Sequence, residues 1–173
     1  VLPVLNKAVV EKGVLLAKAM QADVRMRSLF ARKNYFYPDL PKGYQISQFD
    51  LPLCYEASLT VLDRKIPITR IHLEEDTGKS IHKAEKDYTL IDFNRAGTPL
   101  MELVSEPVIK NAQEAKIFCQ EYQKYLRYLD VSEADMEKGE MRCEANISLQ
   151  EKGSWIYEDG LIKPVEGKKL NPK

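Results

Sequence analysis

The sequence predicts an α+β domain in which helices cover one face of an antiparallel sheet. Three observations carry that expectation. Residues 66–74 and 141–149 alternate apolar and polar side chains with the two-residue period of a strand. Residues 111–129 repeat Ala115, Phe118, Cys119, Tyr122, Tyr125, Leu126 and Leu129 at helical spacing behind an Asn111/Glu114 capping box. Strands are also expected in consecutive pairs across short breaks, 59–62 with 66–74 and 88–94 with 100–104, an antiparallel arrangement.

In chain order, Asn6 caps a helix over residues 7–22, with Val9, Val10, Val14, Ala17 and Met20 forming a broad apolar face that Gly13 weakens slightly. A short strand over 24–27 sets Arg25 and Arg27 on one face. Pro38, Pro41 and Gly43 then forbid a helix over 32–48 and predict a structured loop. Arg32, Lys33 and Tyr35 open this loop, and bases interleaved with aromatics suit phosphate contacts and stacking on a nucleotide or an RNA end. A loop pinned to the core by its tyrosines remains the competing reading.

Strands over 59–62 and 66–74 are separated by Asp63-Arg64-Lys65, and Pro67 predicts an edge position or a bulge. A further pair is expected between 88–94 and 100–104, turning at Ala96-Gly97-Thr98-Pro99. Glu102, between Leu100 and Val104, must sit at an edge or be held by a partner. Gly153, Gly160, Pro164, Gly167 and Pro172 break the last stretch, 151–173, into a hairpin or extension.

The stretch richest in chemistry is 68–76. Thr69, Ile71 and Leu73 alternate with Arg70, His72 and Glu74, and Glu75 and Asp76 follow at once. Three consecutive carboxylates repel unless positive charge intervenes, and a hard divalent cation is the usual remedy. A polar edge strand entering an acidic turn is the plainer alternative. Placed on one polar face, Arg70, His72, Glu74, Glu102, Arg142, Glu144 and Asn146 would describe a Mg²⁺–nucleotide site, acids holding the metal and arginines offsetting phosphate charge.

Composition bounds the rest. The 173 residues carry a formal net charge of +0 with 44% hydrophobic and 30% charged residues, so contact with nucleic acid must use a local patch. No apolar run reaches the ~20 residues of a membrane span. Cys54, Cys119 and Cys143 are odd in number and far apart, which suits a reducing cytoplasm better than disulfides or a cysteine zinc site. Gly78-Lys79-Ser80 imitates the end of a P-loop, but Leu73 stands at the required glycine.

Several blocks then occur in a specific order: Pro3-Val4-Leu5-Asn6-Lys7, residues 32–48, His72-Leu73-Glu74-Glu75-Asp76, Asn94-Arg95-Ala96-Gly97-Thr98-Pro99-Leu100, Ser105-Glu106-Pro107 and Arg142-Cys143-Glu144-Ala145-Asn146. Together they resemble the B-subunit of the aspartyl/glutamyl-tRNA amidotransferase family over residues 1–150, the expected catalytic cradle domain, with 151–173 departing from the pattern.

The resemblance implies a cradle similar to glutamine synthetase. It also implies an ATP-dependent carbon–nitrogen ligase with Mg²⁺ and ATP as cofactors, acting on mischarged Glu-tRNA(Gln) or Asp-tRNA(Asn). A partner amidase would supply ammonia from glutamine, and a small third protein would clamp the pair in a cytoplasmic heterotrimer. Matched by position, Glu74, Glu75 and Glu102 fall on catalytic positions. Glu74, Glu102 and Glu144 fall on metal positions, Glu144 where relatives carry Asp; Arg32, Lys33, Tyr35, Arg70, Arg142 and Asn146 are the expected ligand-binding set. Family members begin with a strand bearing a Glu and a His that complete the metal site, so these residues alone are expected to be an inactive piece of the catalytic domain. The archaeal-type counterpart for Glu-tRNA(Gln) and a non-catalytic scaffold that docks amidase and tRNA are the alternatives.

Overall fold

The computed structural model describes residues 3–158 and 161–171; Gly160 and Pro172, counted above among the breakers of the tail, lie outside the described residues. In chain order the elements are α1 (Lys7–Ala19), β1 (Asp23–Val24), β2 (Ala31–Asn34), β3 (Tyr44–Ser47), β4 (Cys54–Val61), β5 (Arg64–Glu75), β6 (Lys79–His82), β7 (Thr89–Asp92), β8 (Pro99–Ser105), α2 (Ala112–Tyr128), β9 (Trp155–Glu158) and β10 (Leu161–Pro164). The fold is α+β and antiparallel, as expected. Its main sheet has the order β1-β4-β5-β8, and three two-stranded ribbons, β2–β3, β6–β7 and β9–β10, surround it.

Both helices begin where their caps predict. Asn6 Oδ1 accepts the Ala8 N–H at 3.0 Å, and Asn111 Oδ1 accepts the Glu114 N–H at 2.9 Å. The first helix stops three residues short of the expected 22. Gln21 takes a left-handed φ of 56°, so that Ala22 N–H reaches Ala17 O at 2.9 Å and Gln21 N–H reaches Lys18 O at 3.0 Å, a Schellman closure without glycine. Gly13 has a role that helix propensity does not reveal. A Cβ there would stand 2.6 Å from Leu53 Cδ2 and 3.4 Å from Leu73 Cδ2, so the missing side chain lets α1 settle onto the sheet.

One face of the sheet is the core. Leu16 and Ala17 of α1, its C-cap Met20, and Phe118 and Leu126 of α2 pack with Ala57, Leu59 and Val61 of β4 and Ile66, Ile68 and Ile71 of β5. Each of the larger of these side chains contributes on the order of 1.5–3 kcal/mol by leaving water, the alanines less. Among the described residues no helix is long and apolar enough to cross a membrane.

Pro67 sits in a central strand, not at an edge, and the bulge it was expected to mark is present. The β5–β8 register shifts between Ile68 and Arg70. The Pro67 carbonyl accepts the Glu106 N–H at 2.9 Å, so its ring nitrogen faces the same side, just where regular pairing with β8 has run out. Because the bulge absorbs a residue, Thr69 does not join Ile71 and Leu73 in the core; its hydroxyl donates to Glu106 Oε1 at 2.6 Å instead.

Four expectations need correction. The 32–48 segment is not a loop throughout: β2 and β3 pair as a hairpin, Ala31 opposite Ser47, and the two prolines and Gly43 occupy its tip. The β4–β5 turn is Leu62-Asp63, both with positive φ (48° and 62°), the twist a two-residue hairpin favours, so Arg64 and Lys65 belong to the strand. Residues 88–94 do not pair with 100–104. β7 pairs with β6, while Asp76 N–H donates to Thr98 O at 2.7 Å and Gly97 N–H to Asp76 O at 2.9 Å, which lays Pro99 beside Glu75 and runs β8 along β5. Residues 141–149 form no strand. Only Met141 is buried, and Ile147 and Leu149 are each 82% exposed, because alternation supplies a face but a ladder needs a partner that the described residues do not place there.

One part-buried ion pair ties three elements together. Arg64 of β5 pairs with Glu114 of α2 and donates to Val108 O at 3.1 Å and to Tyr157 Oη of β9 at 2.6 Å. Glu114 also accepts the Lys110 N–H at 2.7 Å. Burial pushes the Glu114 carboxyl up, but Arg64 and the Lys110 amide outweigh it and hold it below the usual range. A lowered folded-state pKa means that this pair stabilises the fold above the unfolded value, near 4.3, and that the stability is lost as pH falls through the folded value. Because Arg64 is partly exposed and keeps its bonds to Val108 and Tyr157, Glu114→Gln should cost about 1–3 kcal/mol at neutral pH. In urea unfolding of the domain followed at Trp155, the deficit should shrink as pH drops below about 4.

Candidate metal centre and its cleft

The site follows from register. In the β5–β8 ladder His72 lies opposite Glu102 and Glu74 opposite Leu100. Side chains two apart share a face, so His72 and Glu74 stand beside Glu102 on the face away from the helices. His72 Nε2 is 3.6 Å from Glu74 Oε2 and 3.8 Å from Glu102 Oε2, and one ligand atom from each residue lies within 4.8 Å of the others. The imidazole is buried, Glu74 nearly so, and Glu102 half-exposed. The trio opens onto a cleft of about 290 Å³ whose other walls are Ala31, Lys33, Ser47, Gln48, Phe49 and Arg70.

The two carboxyls are driven apart in acidity. Burial raises Glu74, but the His72 ring, the Ser47 hydroxyl (donating to Oε2 at 2.9 Å) and the Lys33 charge together hold it low. Burial raises Glu102 as well; His72 pulls it back, yet the Glu74 charge beside it leaves it above the usual range. A cation between them would relieve both effects. Cis ligands of an octahedral ion at ~2.1 Å lie ~3.0 Å apart, so gaps of 3.6 and 3.8 Å close around one with sub-ångström shifts. Two carboxylates with one imidazole form a donor set that suits a divalent cation.

The alternation of 68–74 places His72 on this face but assigns it no metal role. Its spacing from Glu74 was readable, but its register with Glu102 was not.

The other expected site residues scatter. Glu75 faces away from the trio. It pairs with Lys42 and accepts the Ile46 N–H at 2.9 Å, while its own carbonyl accepts from Gln45 Nε2 at 2.7 Å, so it pins the β2–β3 hairpin to the end of the sheet. Arg32 stacks on Tyr44 at 5.0 Å, and Lys33, which lines the cleft, also lies 5.6 Å from the Tyr35 ring. Arg142 donates to Asp76 Oδ2 at 2.7 Å, beside Arg95 Nε at 3.0 Å, away from the trio. Glu144 and Asn146 are exposed and line neither trio nor cleft, since the strand that would carry them there does not form.

Comparison with known proteins supplies the family. A family model described as "GatB/GatE catalytic domain" matches residues 1–172. The chain belongs to that family. The match takes in the tail over 151–172, which the recognisable blocks had left out. Similar curated proteins are the aspartyl/glutamyl-tRNA(Asn/Gln) amidotransferase B-subunits of Persephonella marina (50% identical over 98% of this chain and 35% of that protein), Campylobacter jejuni (47%, over 98% and 36%) and Thermodesulfovibrio yellowstonii (52%, over 89% and 33%). The chain spans about a third of the length of these relatives.

Removing the imidazole tests the centre without reference to turnover. His72→Ala should weaken Mn²⁺ binding by about tenfold or more, read by calorimetry. Unchanged affinity would reduce the trio to a polar face.

Proposed function

We propose that the full-length protein is the component of a tRNA-dependent amidotransferase that activates and amidates the side-chain carboxylate of Glu-tRNA(Gln) or Asp-tRNA(Asn). The observation that carries this reading is the His72–Glu74–Glu102 trio set in a cleft with Lys33 and Arg70, on a chain 50% identical to a named amidotransferase B-subunit. A carboxylate resists attack by ammonia, so the reaction needs an activated acyl group, and ATP supplies it by phosphorylating the side chain. Glu74 and Glu102 with His72 would hold Mg²⁺, which offsets phosphate charge when bound.

The chain's own residues do the rest. Ser47 fixes the rotamer of Glu74 by its hydrogen bond. Lys33 and Arg70 place positive charge along the wall where phosphoryl oxygens and a carboxylate must approach one another. Phe36 and Tyr37, exposed at the hairpin tip near Lys33 and Lys42, suit stacking on the unpaired end of an RNA. Ammonia would come from glutamine through a partner amidase, with a small third protein completing a cytoplasmic complex. The family description covers two protein types, and the relatives compared carry the B-subunit name, which favours the bacterial-type protein over the archaeal-type one.

In the assembled complex, Glu74→Gln and Glu102→Gln keep side-chain shape and remove a negative ligand. Each should lower ATP-dependent amide formation by about 100-fold or more, while glutamine hydrolysis by the partner largely persists. Near-normal amidation by both variants would favour a docking scaffold.

Lys33→Ala probes the hairpin. Its side chain lies on an exposed strand, so the melting temperature should hold while affinity for ATP or tRNA falls about tenfold. Equal loss of affinity and stability would make Lys33 a packing residue.

A further inference from the structure

The cleft beside the carboxylates also presents nitrogen. Gln48 is 1% exposed, and its Oε1 accepts the Leu73 N–H at 3.0 Å. Leu73 lies past Ile71, the last β5 residue paired with β4, so this side chain stands where a neighbouring strand would otherwise be. A backbone N–H demands an acceptor, which fixes the amide: Oε1 faces Leu73 and Nε2 is left over. Nε2 is buried without a partner, as is Nε of Arg70, and both residues line the cleft. Arg70 is itself held against the Phe49 ring, 5.3 Å from the centroid. His72 Nδ1, on the same cleft, is a third buried nitrogen without a partner, but its role depends on the tautomer. Buried N–H groups nearly always have acceptors, and the two unambiguous donors, one of them on a cation, call for anionic oxygen.

We infer that Gln48 Nε2 and Arg70 Nε form a paired donor site for an anionic oxygen of the ligand, beside the carboxylate trio. This rests on the reading above and deepens it. That reaction brings two such oxygens to the cleft: a phosphoryl oxygen of the nucleotide and the carboxylate of the amino acid on the tRNA. Neither Glu74 nor Glu102 can bind either one directly, since like charges repel; the donor pair supplies the complementary contact.

Three variants of the full-length protein in its amidotransferase complex separate the possibilities. Gln48→Glu keeps an acceptor for Leu73 and turns the free donor into an acceptor. Gln48→Met preserves volume without charge. Arg70→Lys keeps the charge and loses Nε. Equilibrium binding of Mg·ATP and of Glu-tRNA(Gln) is measured separately, alongside the melting temperature.

At least tenfold weaker binding of one ligand in the variants that stay folded is expected. A loss confined to ATP assigns the phosphoryl oxygen, and a loss confined to tRNA assigns the carboxylate. Unchanged affinity for both ligands overturns the inference, leaving water as the partner of these donors. So does a loss of affinity that merely tracks melting temperature in all three. A parent complex that binds both ligands but forms no amide would defeat the amidotransferase reading, while the donor pair would still be judged from binding.

Discussion

The site depends on the register between β5 and β8. Once the bulge at Thr69 has shifted the ladder, His72 faces Glu102 across the strands, and Arg70, His72 and Glu74 all turn away from the helices. Side chains alternate with a period of two, so a slip of one residue would send the imidazole and both neighbouring polar groups into the apolar core. The core prevents that slip. Ile66 and Ile68 before the bulge and Ile71 and Leu73 after it must all stay buried, and this is possible only if one residue is absorbed between the two pairs. Packing on one face thus sets the geometry on the other.

Three adjacent carboxylates are reconciled by being sent to different partners. Glu74 takes the Ser47 hydroxyl, the His72 ring and the charge of Lys33; Glu75, on the opposite face, takes Lys42 and a hairpin amide; Asp76 takes Arg95 and Arg142. Repulsion along the run is relieved by separate partners. That leaves Glu74 alone of the three directed at the candidate metal position, where Glu102 and His72 join it from the facing and the same strand. Each partnership also joins distant chain: Lys42 docks the hairpin that walls the cleft, and Arg142 tethers the 141–149 segment to the end of β5.

Half-burial makes the cleft chemically useful. Charges there are screened less than at the surface, so burial, opposed at Glu74 by His72, Ser47 and Lys33 and reinforced at Glu102 by the Glu74 charge, parts the acidities of the two carboxyls. Orphaned nitrogens on Gln48 and Arg70 belong to the same balance: they are tolerable only where a ligand or water completes them.

Local signals determined a good deal without help. Asn6 and Asn111 mark helix starts because a cap is a contact between near neighbours, and the alternation of 70–74 announces a polar face because strand geometry requires it. The family blocks, being ordered residue identities, were likewise readable. Long-range choices were not. Pairing of 89–92 with 79–82 in place of 100–104, the loss of the 141–149 strand, the docking use of Glu75 and the meeting of His72 with Glu102 all depend on which segments find each other. Periodicity says which way a side chain points, but only the folded sheet, whose partners are chosen by core packing and by turns such as that at 93–98, decides what it points at.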